Sequence, residues 1–241
     1  MSRDEIYADA DGPDGPFEFS AKVAEVFPDM LRRSIPGYAA TIQAIRSLTR
    51  EFAMAETNLY DLGSSLGAAS RAMAHGIAVS GCRIVAVDNA PAMVRKCRSL
   101  FDADPIDLPI EVTCADIRET PIENASVVVM NYTLQFLPPD DRERVIASIA
   151  DGLKPGGVFV LSEKVVHPDP KIEATLQSLH LDFKRRHSYS EMEIARKRAS
   201  LENVLVPDTV DDHEARLINA GFKSAGVWLR YFNFVSLIAI R

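Results

Sequence analysis

The feature that most constrains this chain is a change of period that begins at residue 58. Short β-rich runs, Asn58 to Leu62, Arg83 to Val87, Ile110 to Cys114, Val127 to Asn131 and Val158 to Leu161, alternate with helical stretches near 67 to 79, 90 to 101 and 139 to 152. Strands and helices alternating at these lengths predict parallel βαβ units, hence an open sheet covered by helices on both faces. Ahead of them, from Pro36 to Met54, Ile42, Ile45, Leu48 and Phe52 recur at three- and four-residue spacing, which predicts an amphipathic helix opened by a proline. The alternation stops at the C-terminal end. After a helix near 211 to 220, Ala225 to Tyr231 and Phe234 to Ile240 read as two adjacent strands, a hairpin at the sheet edge. Between Pro168 and Pro207 lies a polar, mostly helical segment without a strand, longer than the usual α/β connection, which we expect to form a cap or partner surface.

With 241 residues the chain suits one well-buried core. We divide it into a flexible N-terminal tail over 1–18, acidic and rich in Gly and Pro, and a single domain over 19–241 that carries the cap at about 168–207. Lys and Arg total 27 against 34 Asp and Glu, a net charge of −7, so direct nucleic-acid binding is disfavoured: it needs a basic surface to release counterions. Apolar stretches such as Val127 to Met130 are far shorter than a membrane span, and the first residues lack the basic start and apolar middle of a secretion signal. The expectation is a soluble cytoplasmic protein. Cys82, Cys97 and Cys114 are odd in number, widely spaced and never form a CxxC pair, which argues against a disulfide framework and against a zinc site, and no metal is expected.

The chemistry is expected at the carboxyl ends of the strands. The run 58 to 62 leads into Asp61-Leu62-Gly63-Ser64-Ser65-Leu66-Gly67 and then a helix. Glycines there let the backbone turn sharply, and a helix N-terminus offers free N–H groups. The glycines are too far apart for the G-x-G-x-x-G of a nicotinamide site, and a merely structural turn is an equal reading of this loop alone. A second signal follows: Asp88 and Asn89 end the next strand, at the distance where an acid accepts ribose hydroxyls. Asp116 and Ile117 follow the third strand, suited to an adenine amino group and ring nitrogen, and Asn131 ends the fourth. Each residue alone reads equally as a cap or turn; together they favour a nucleoside pocket.

These features resemble class I S-adenosylmethionine (SAM) dependent methyltransferases, with their Rossmann-like fold and seven-stranded, mostly parallel sheet ending in an antiparallel hairpin. A narrower resemblance covers nearly the whole chain from Val23. Val23-Ala24-Glu25-Val26-Phe27-Pro28-Asp29-Met30, Arg33-Ser34-Ile35-Pro36-Gly37-Tyr38, Asn131-Tyr132-Thr133-Leu134-Gln135-Phe136-Leu137, Leu161-Ser162-Glu163-Lys164, Asp182-Phe183-Lys184-Arg185 and Lys197-Arg198-Ala199-Ser200-Leu201-Glu202-Asn203-Val204 are similar to stretches of the carboxy-S-adenosyl-L-methionine synthases. Ser64 stands where that family is expected to carry Cys. The resemblance implies that Tyr38, Gly63, Ser64, Ser65, Asp88, Asn89, Asp116, Ile117 and Asn131 hold SAM. It further implies that Arg198 grips the added carboxyl group of the product, carboxy-SAM, with Tyr38 and Arg198 as the catalytic pair. The neighbourhood supports an anion site: Lys184 to Arg198 holds six Lys or Arg against two Glu. A solvated helix face is the competing reading of that charge run.

The resemblance also implies the reaction. Prephenate loses carbon dioxide and hydroxide as its ring aromatises, the hydroxide takes a proton from the SAM methyl group, and the resulting ylide captures the carbon dioxide. The substrate supplies the base, which suits a chain whose histidines, His75, His167, His180, His187 and His213, fall in no motif. Such a reaction needs a closed pocket, so the 168–207 insertion is the expected lid, with Arg33 and Tyr38 as candidate prephenate contacts. A homodimer and a metabolic link to a tRNA carboxymethyltransferase that modifies wobble uridine are implied in the same way. Two other readings stand beside it: an ordinary SAM-dependent methyltransferase acting on a small molecule or RNA, and a non-catalytic SAM-binding module.

Overall fold

Why the central strands form is plain from β4 (Ala125–Asn131): six of its seven residues are buried, as befits a strand covered on both faces of a parallel sheet. Its neighbours are β1 (Asn58–Leu62) and β5 (Leu153–Lys164), and β2 (Arg83–Asp88) and β3 (Ile110–Cys114) extend the sheet beyond β1. The computed structural model describes residues 2–8 and 15–241. Two-residue alternation divides the core. Val127 and Val129 join Leu59, Ile84, Val158 and Val160 on one face, against Ile45 of helix α2 (Tyr38–Phe52) and Met73 of α3 (Ala68–Gly76). On the other face, Val128 and Met130 join Tyr60, Leu62, Phe159 and Leu161, against Val145, Ile146 and Ile149 of α5 (Pro139–Gly152). Helix α4 (Pro91–Ala103) connects β2 to β3.

The strand order is β3-β2-β1-β4-β5-β7-β6, where β6 (Ser224–Tyr231) and β7 (Phe234–Ile240) follow α8 (Val210–Asn219). Only β7 runs antiparallel to its neighbours, so the seven-stranded, mostly parallel sheet with a terminal hairpin is as expected from the sequence. The chain winds outward from β1 to β3 and then crosses back to β4. The β1/β4 boundary is therefore the switch point, where ligands of open α/β sheets sit. The 168–207 insertion forms two helices, α6 (Pro170–Arg186) and α7 (Glu191–Leu201).

Three sequence readings need correction. Strand β5 is much longer than Val158 to Leu161, because Pro155 and the Gly156-Gly157 pair hide its first half from a periodicity reading; Gly156 has φ +82° and lies beside the register irregularity between β4 and β5. Helix α2 opens at Gly37, with φ +77°, rather than at a proline, and a further helix α1 (Ala21–Ser34) precedes it, capped by the Ser20 hydroxyl, which accepts from the Val23 N–H. Nor is the described part of 1–18 a loose tail. The Asp4 N–H donates to Asp29 Oδ2 (2.8 Å), the Tyr7 hydroxyl to Ser200 Oγ (2.9 Å), and the Phe17 N–H to the Ser200 carbonyl (2.8 Å). Asp4 and Tyr7 are buried, so those bonds fix the segment against α1 and α7. Residues 9–14 of that expectation lie outside the described residues.

Candidate functional site

A cleft of about 340 Å³ opens at the carboxyl ends of β1, β2 and β4, above the switch point, within the range of small-molecule sites. Its floor is the loop after β1. Gly63 and Ser64 both donate their N–H to the Val87 carbonyl (2.8 and 2.9 Å), which brings this loop onto the end of β2. Gly63 has φ +82°, and a Cβ there would stand 2.1 Å from Thr133 Oγ1, so glycine is required both by backbone conformation and by close approach. Asp88 fixes the opposite side: Oδ2 accepts from the Ser65 N–H and Oδ1 from the Ala90 N–H, each at 2.8 Å. Burial pushes this carboxyl up and those two N–H groups pull it down. Each oxygen has the capacity to accept a further hydrogen bond from a hydroxyl donor. Asp61, buried at the end of β1, accepts from the Ser70 N–H (2.8 Å) and hydroxyl (2.6 Å); burial pushes it up to about 6.

The back wall follows β4. Ser162 accepts the Tyr132 N–H at 2.7 Å, holding Tyr132 at φ +62°, and Glu163 collects the next three N–H groups. Its Oε1 accepts from Thr133 (3.2 Å) and Leu134 (2.8 Å), its Oε2 from Gln135 (3.1 Å). Burial pushes the Glu163 carboxyl up to about 8 against those donors. The carboxylate thereby sits at the start of a 3-10 turn, Leu134–Phe136, and aims its residues into the cleft. Phe19 links the front to this turn, with ring centroids 5.1 Å from Phe17 and 5.5 Å from Phe136.

Of the residues expected from the sequence, Tyr38, Gly63, Ser64, Ser65, Asp88, Asn89, Asp116, Ile117 and Asn131 all line this one cleft. Two of them carry buried polar atoms without a partner, Ser64 Oγ and Asn131 Oδ1. An orphaned polar atom inside a pocket is costly unless a ligand satisfies it, so the donor set fits a polar nucleoside such as SAM. Asp116 differs from the expectation in one respect: Arg118 embraces it through Nε (3.0 Å) and Nη2 (2.6 Å), which holds its carboxyl below the usual range. Burial raises the Tyr38 hydroxyl well above its ordinary value, so this phenol is a neutral donor.

Arg198 is not brought into the cleft by this chain. Helix α7 turns Glu193, Ile194, Lys197 and Ser200 inward, and each helical step rotates by about 100°. Arg198 therefore falls on the outer stripe, exposed, in a shallow hollow with Glu191, Ala195 and Glu202. Its inward counterpart is Lys197. Arg33 does not line the cleft either: it is buried and donates to the carbonyls of Asp4 (2.8 Å), His187 (2.7 Å) and Ser188 (2.8 Å) and to Asp29 Oδ2 (3.3 Å), clasping the N-terminal segment.

What the sequence reading missed are the cleft-lining cations Lys164, Lys184 and Lys197, with His180 beside them. Periodicity cannot separate Lys197 from Arg198, since Ile194 and Leu201 flank both at helical spacing. Burial pushes Lys184 down to about 7, aided by Lys197, Lys164 and Arg198, and pushes Lys197 down to about 8, partly offset by Asp4. His180, pushed by burial and then by Lys184 down to about 3, is neutral; its Nε2 lies 2.9 Å from the Ser34 carbonyl.

The fold and cleft together define a class I SAM-dependent methyltransferase architecture, and comparison with known proteins agrees. The family model described as a methyltransferase domain matches residues 59–157. A putative SAM-dependent methyltransferase from Methanococcus maripaludis superposes with a TM-score of 0.60 at 20% identity, covering 95% of this chain and 96% of that one. The carboxy-S-adenosyl-L-methionine synthase of Psychromonas ingrahamii is 50% identical over 99% of this chain and 98% of its own length, and that of Erwinia tasmaniensis is 50% identical over 100% and 98%. The chain belongs to the carboxy-S-adenosyl-L-methionine synthase family. Among the described residues no helix is long and apolar enough to cross a membrane, and no group of His, Cys, Asp or Glu is placed to hold a metal ion.

Proposed function

We propose that this chain transfers a carboxyl group from prephenate to the methyl group of SAM, giving carboxy-SAM, phenylpyruvate and water. The observation that carries the reading is the gathering of nine expected nucleoside contacts in one cleft, two of them with unpartnered buried polar atoms, in a chain half-identical to curated synthases along its whole length. Asp88 accepts the ribose hydroxyls, Ser64 and Asn131 gain the partners they lack, and the Gly63 turn lets the ligand approach the backbone. The aromatic and aliphatic front formed by Phe17, Phe19, Phe27 and Leu137 keeps water from the reacting carbon. SAM supplies an acidified methyl group, and the departing hydroxide of prephenate removes its proton, so no side chain is needed as base.

Arg198 gripping the new carboxyl group belongs to the same proposal. Its guanidinium has no hydrogen bond or ion pair among the described residues, and its charge is felt by Lys164 and Lys184. To reach the cleft it needs a turn of α7 or arrival from a second copy of the chain. A homodimer formed through the cap, where Ile172, Leu179 and Met192 are exposed, suits the second route. A cytoplasmic location and delivery of the product to a tRNA carboxymethyltransferase complete the reading. Arg198→Ala is expected to keep SAM affinity and lose selectivity for carboxy-SAM; equal selectivity by titration calorimetry removes Arg198 from the site. The reading as a whole is checked by denaturing the purified protein and weighing the released small molecule. A nucleoside heavier than SAM by one carbon dioxide unit supports it, and S-adenosylhomocysteine as the only nucleoside opposes it.

A further inference from the structure

Three lysines line the cleft, Lys164 at the end of β5, Lys184 on α6 and Lys197 on α7. Lys197 is compensated: its Nζ lies 3.6 Å from Asp4 Oδ2 and donates to Ser34 Oγ at 3.1 Å. Lys164 and Lys184 are not. Neither has an ion pair or a side-chain hydrogen bond among the described residues. Glu173 is felt by Lys164 only at a distance, and the charged groups that act on Lys184 are all cations. His180, neutral and bonded to the Ser34 carbonyl, offers no negative charge. A buried, unpaired cation such as Lys184 is expensive, and the half-buried Lys164 lining the same cleft adds to the cost, unless something negative enters between them. The sulfonium centre of SAM would add a further positive charge to the same cleft.

Resting on the reading above, we propose that Lys184 and Lys164 are the subsite for the carboxylates of a dianionic co-substrate, with Lys197, tethered by the N-terminal segment through Asp4, setting the rim of that subsite. Two uncompensated ammonium groups match two carboxylates in number. Hydrogen bonds between charged partners in a site shielded from water are the strong ones. The match explains why the fold tolerates lysines where apolar residues would be more stable. It also makes the subsite a selector: a monocarboxylate leaves one ammonium uncompensated.

The test uses the full-length protein with and without SAM, malonate as the probe dianion, acetate as the monoanion, and the variants Lys184→Met and Lys184→Arg. Lys184→Met is expected to weaken malonate binding about tenfold or more and to raise the KM for prephenate by a similar factor, with SAM affinity unchanged within about twofold. Lys184→Arg is expected to retain most of the malonate affinity, and acetate to bind far more weakly than malonate to the wild type. Without anion, Lys184→Met is expected to melt above the wild type, since an uncompensated buried charge has been removed. Malonate is expected to raise the wild-type Tm alone. A lysine that merely holds the structure together gives the reverse, a lower Tm and no change in malonate affinity, and that result overturns the proposal. Malonate binding separates this proposal from the broader one. Wild-type protein that binds malonate through Lys184 but never converts prephenate leaves the subsite standing and refutes the carboxylation reading. Prephenate conversion with an unaltered KM in Lys184→Met refutes the subsite alone.

Discussion

Gly63 and Asp88 show how much of the site depends on single atoms. At Gly63 a methyl group meets both a left-handed φ of +82° and Thr133 Oγ1 at 2.1 Å. Gly63→Ala is expected to lower stability by about 2 kcal/mol or more, read from urea midpoints, and to weaken SAM binding; an unchanged midpoint means that the loop relaxes freely. Asp88→Ala removes the acceptor of the Ser65 and Ala90 N–H groups together with that of the ribose, so a loss of about 1.5 to 3 kcal/mol in SAM affinity is expected by calorimetry. Unchanged affinity takes Asp88 out of the site. These residues were legible in the sequence because strand ends and turn glycines advertise themselves locally. Lys164 and Lys184 were not, because whether a lysine lines a cleft depends on which neighbours close round it, and those neighbours are far away along the chain: Ser34, Tyr38 and the β5 terminus line the same cleft as residues of α6 and α7.

Elements were legible in proportion to how regular their periods are. Strands β1 to β4 and helices α2 to α5 stand close to where the apolar spacing puts them, while α1, with Pro28 inside it, escaped notice. The phase of α7 was the consequential miss, since a single residue of rotation exchanges Lys197 for Arg198 at the cleft. The element most closely tied to function is the 3-10 turn held by Glu163. Glu163→Gln keeps the shape but turns one carboxylate oxygen into an N–H donor facing the Gln135 N–H or its neighbours. We expect a loss of about 1 to 3 kcal/mol in stability and weaker SAM binding, because the turn carries Thr133 and Phe136 into the cleft. Equal stability of the two proteins in urea contradicts the role assigned to that carboxylate.

On the scale of the whole molecule, an acidic protein lines its cleft with Lys164, Lys184 and Lys197 as well as Asp61, Asp88 and Asp116, and its buried acids and bases respond differently to pH. Lys184 titrates at about 7 when folded and at its ordinary 10.5 when unfolded, so between those values the unfolded chain binds more protons and stability rises with pH. Glu163, raised from 4.5 to about 8, acts in the opposite sense between those values. The difference in Tm between Lys184→Met and the wild type isolates the lysine: it is expected to be largest at and below pH 7 and to shrink towards pH 10. A difference independent of pH shows that Lys184 is not an uncompensated cation. Bound dianion reverses the shift, so binding near pH 8 is expected to take up protons, seen as a dependence of the calorimetric heat on buffer ionisation enthalpy.

Whether the cleft carries out carboxyl transfer is tested most directly by incubating the purified protein with SAM and prephenate labelled with carbon-13 in the carboxylate on the ring, and following the nucleoside product by mass spectrometry. The account predicts a nucleoside heavier than SAM by one labelled carbon dioxide unit, formed in step with phenylpyruvate and only when prephenate is present. Unlabelled product, or SAM consumed at the same rate without prephenate, contradicts it.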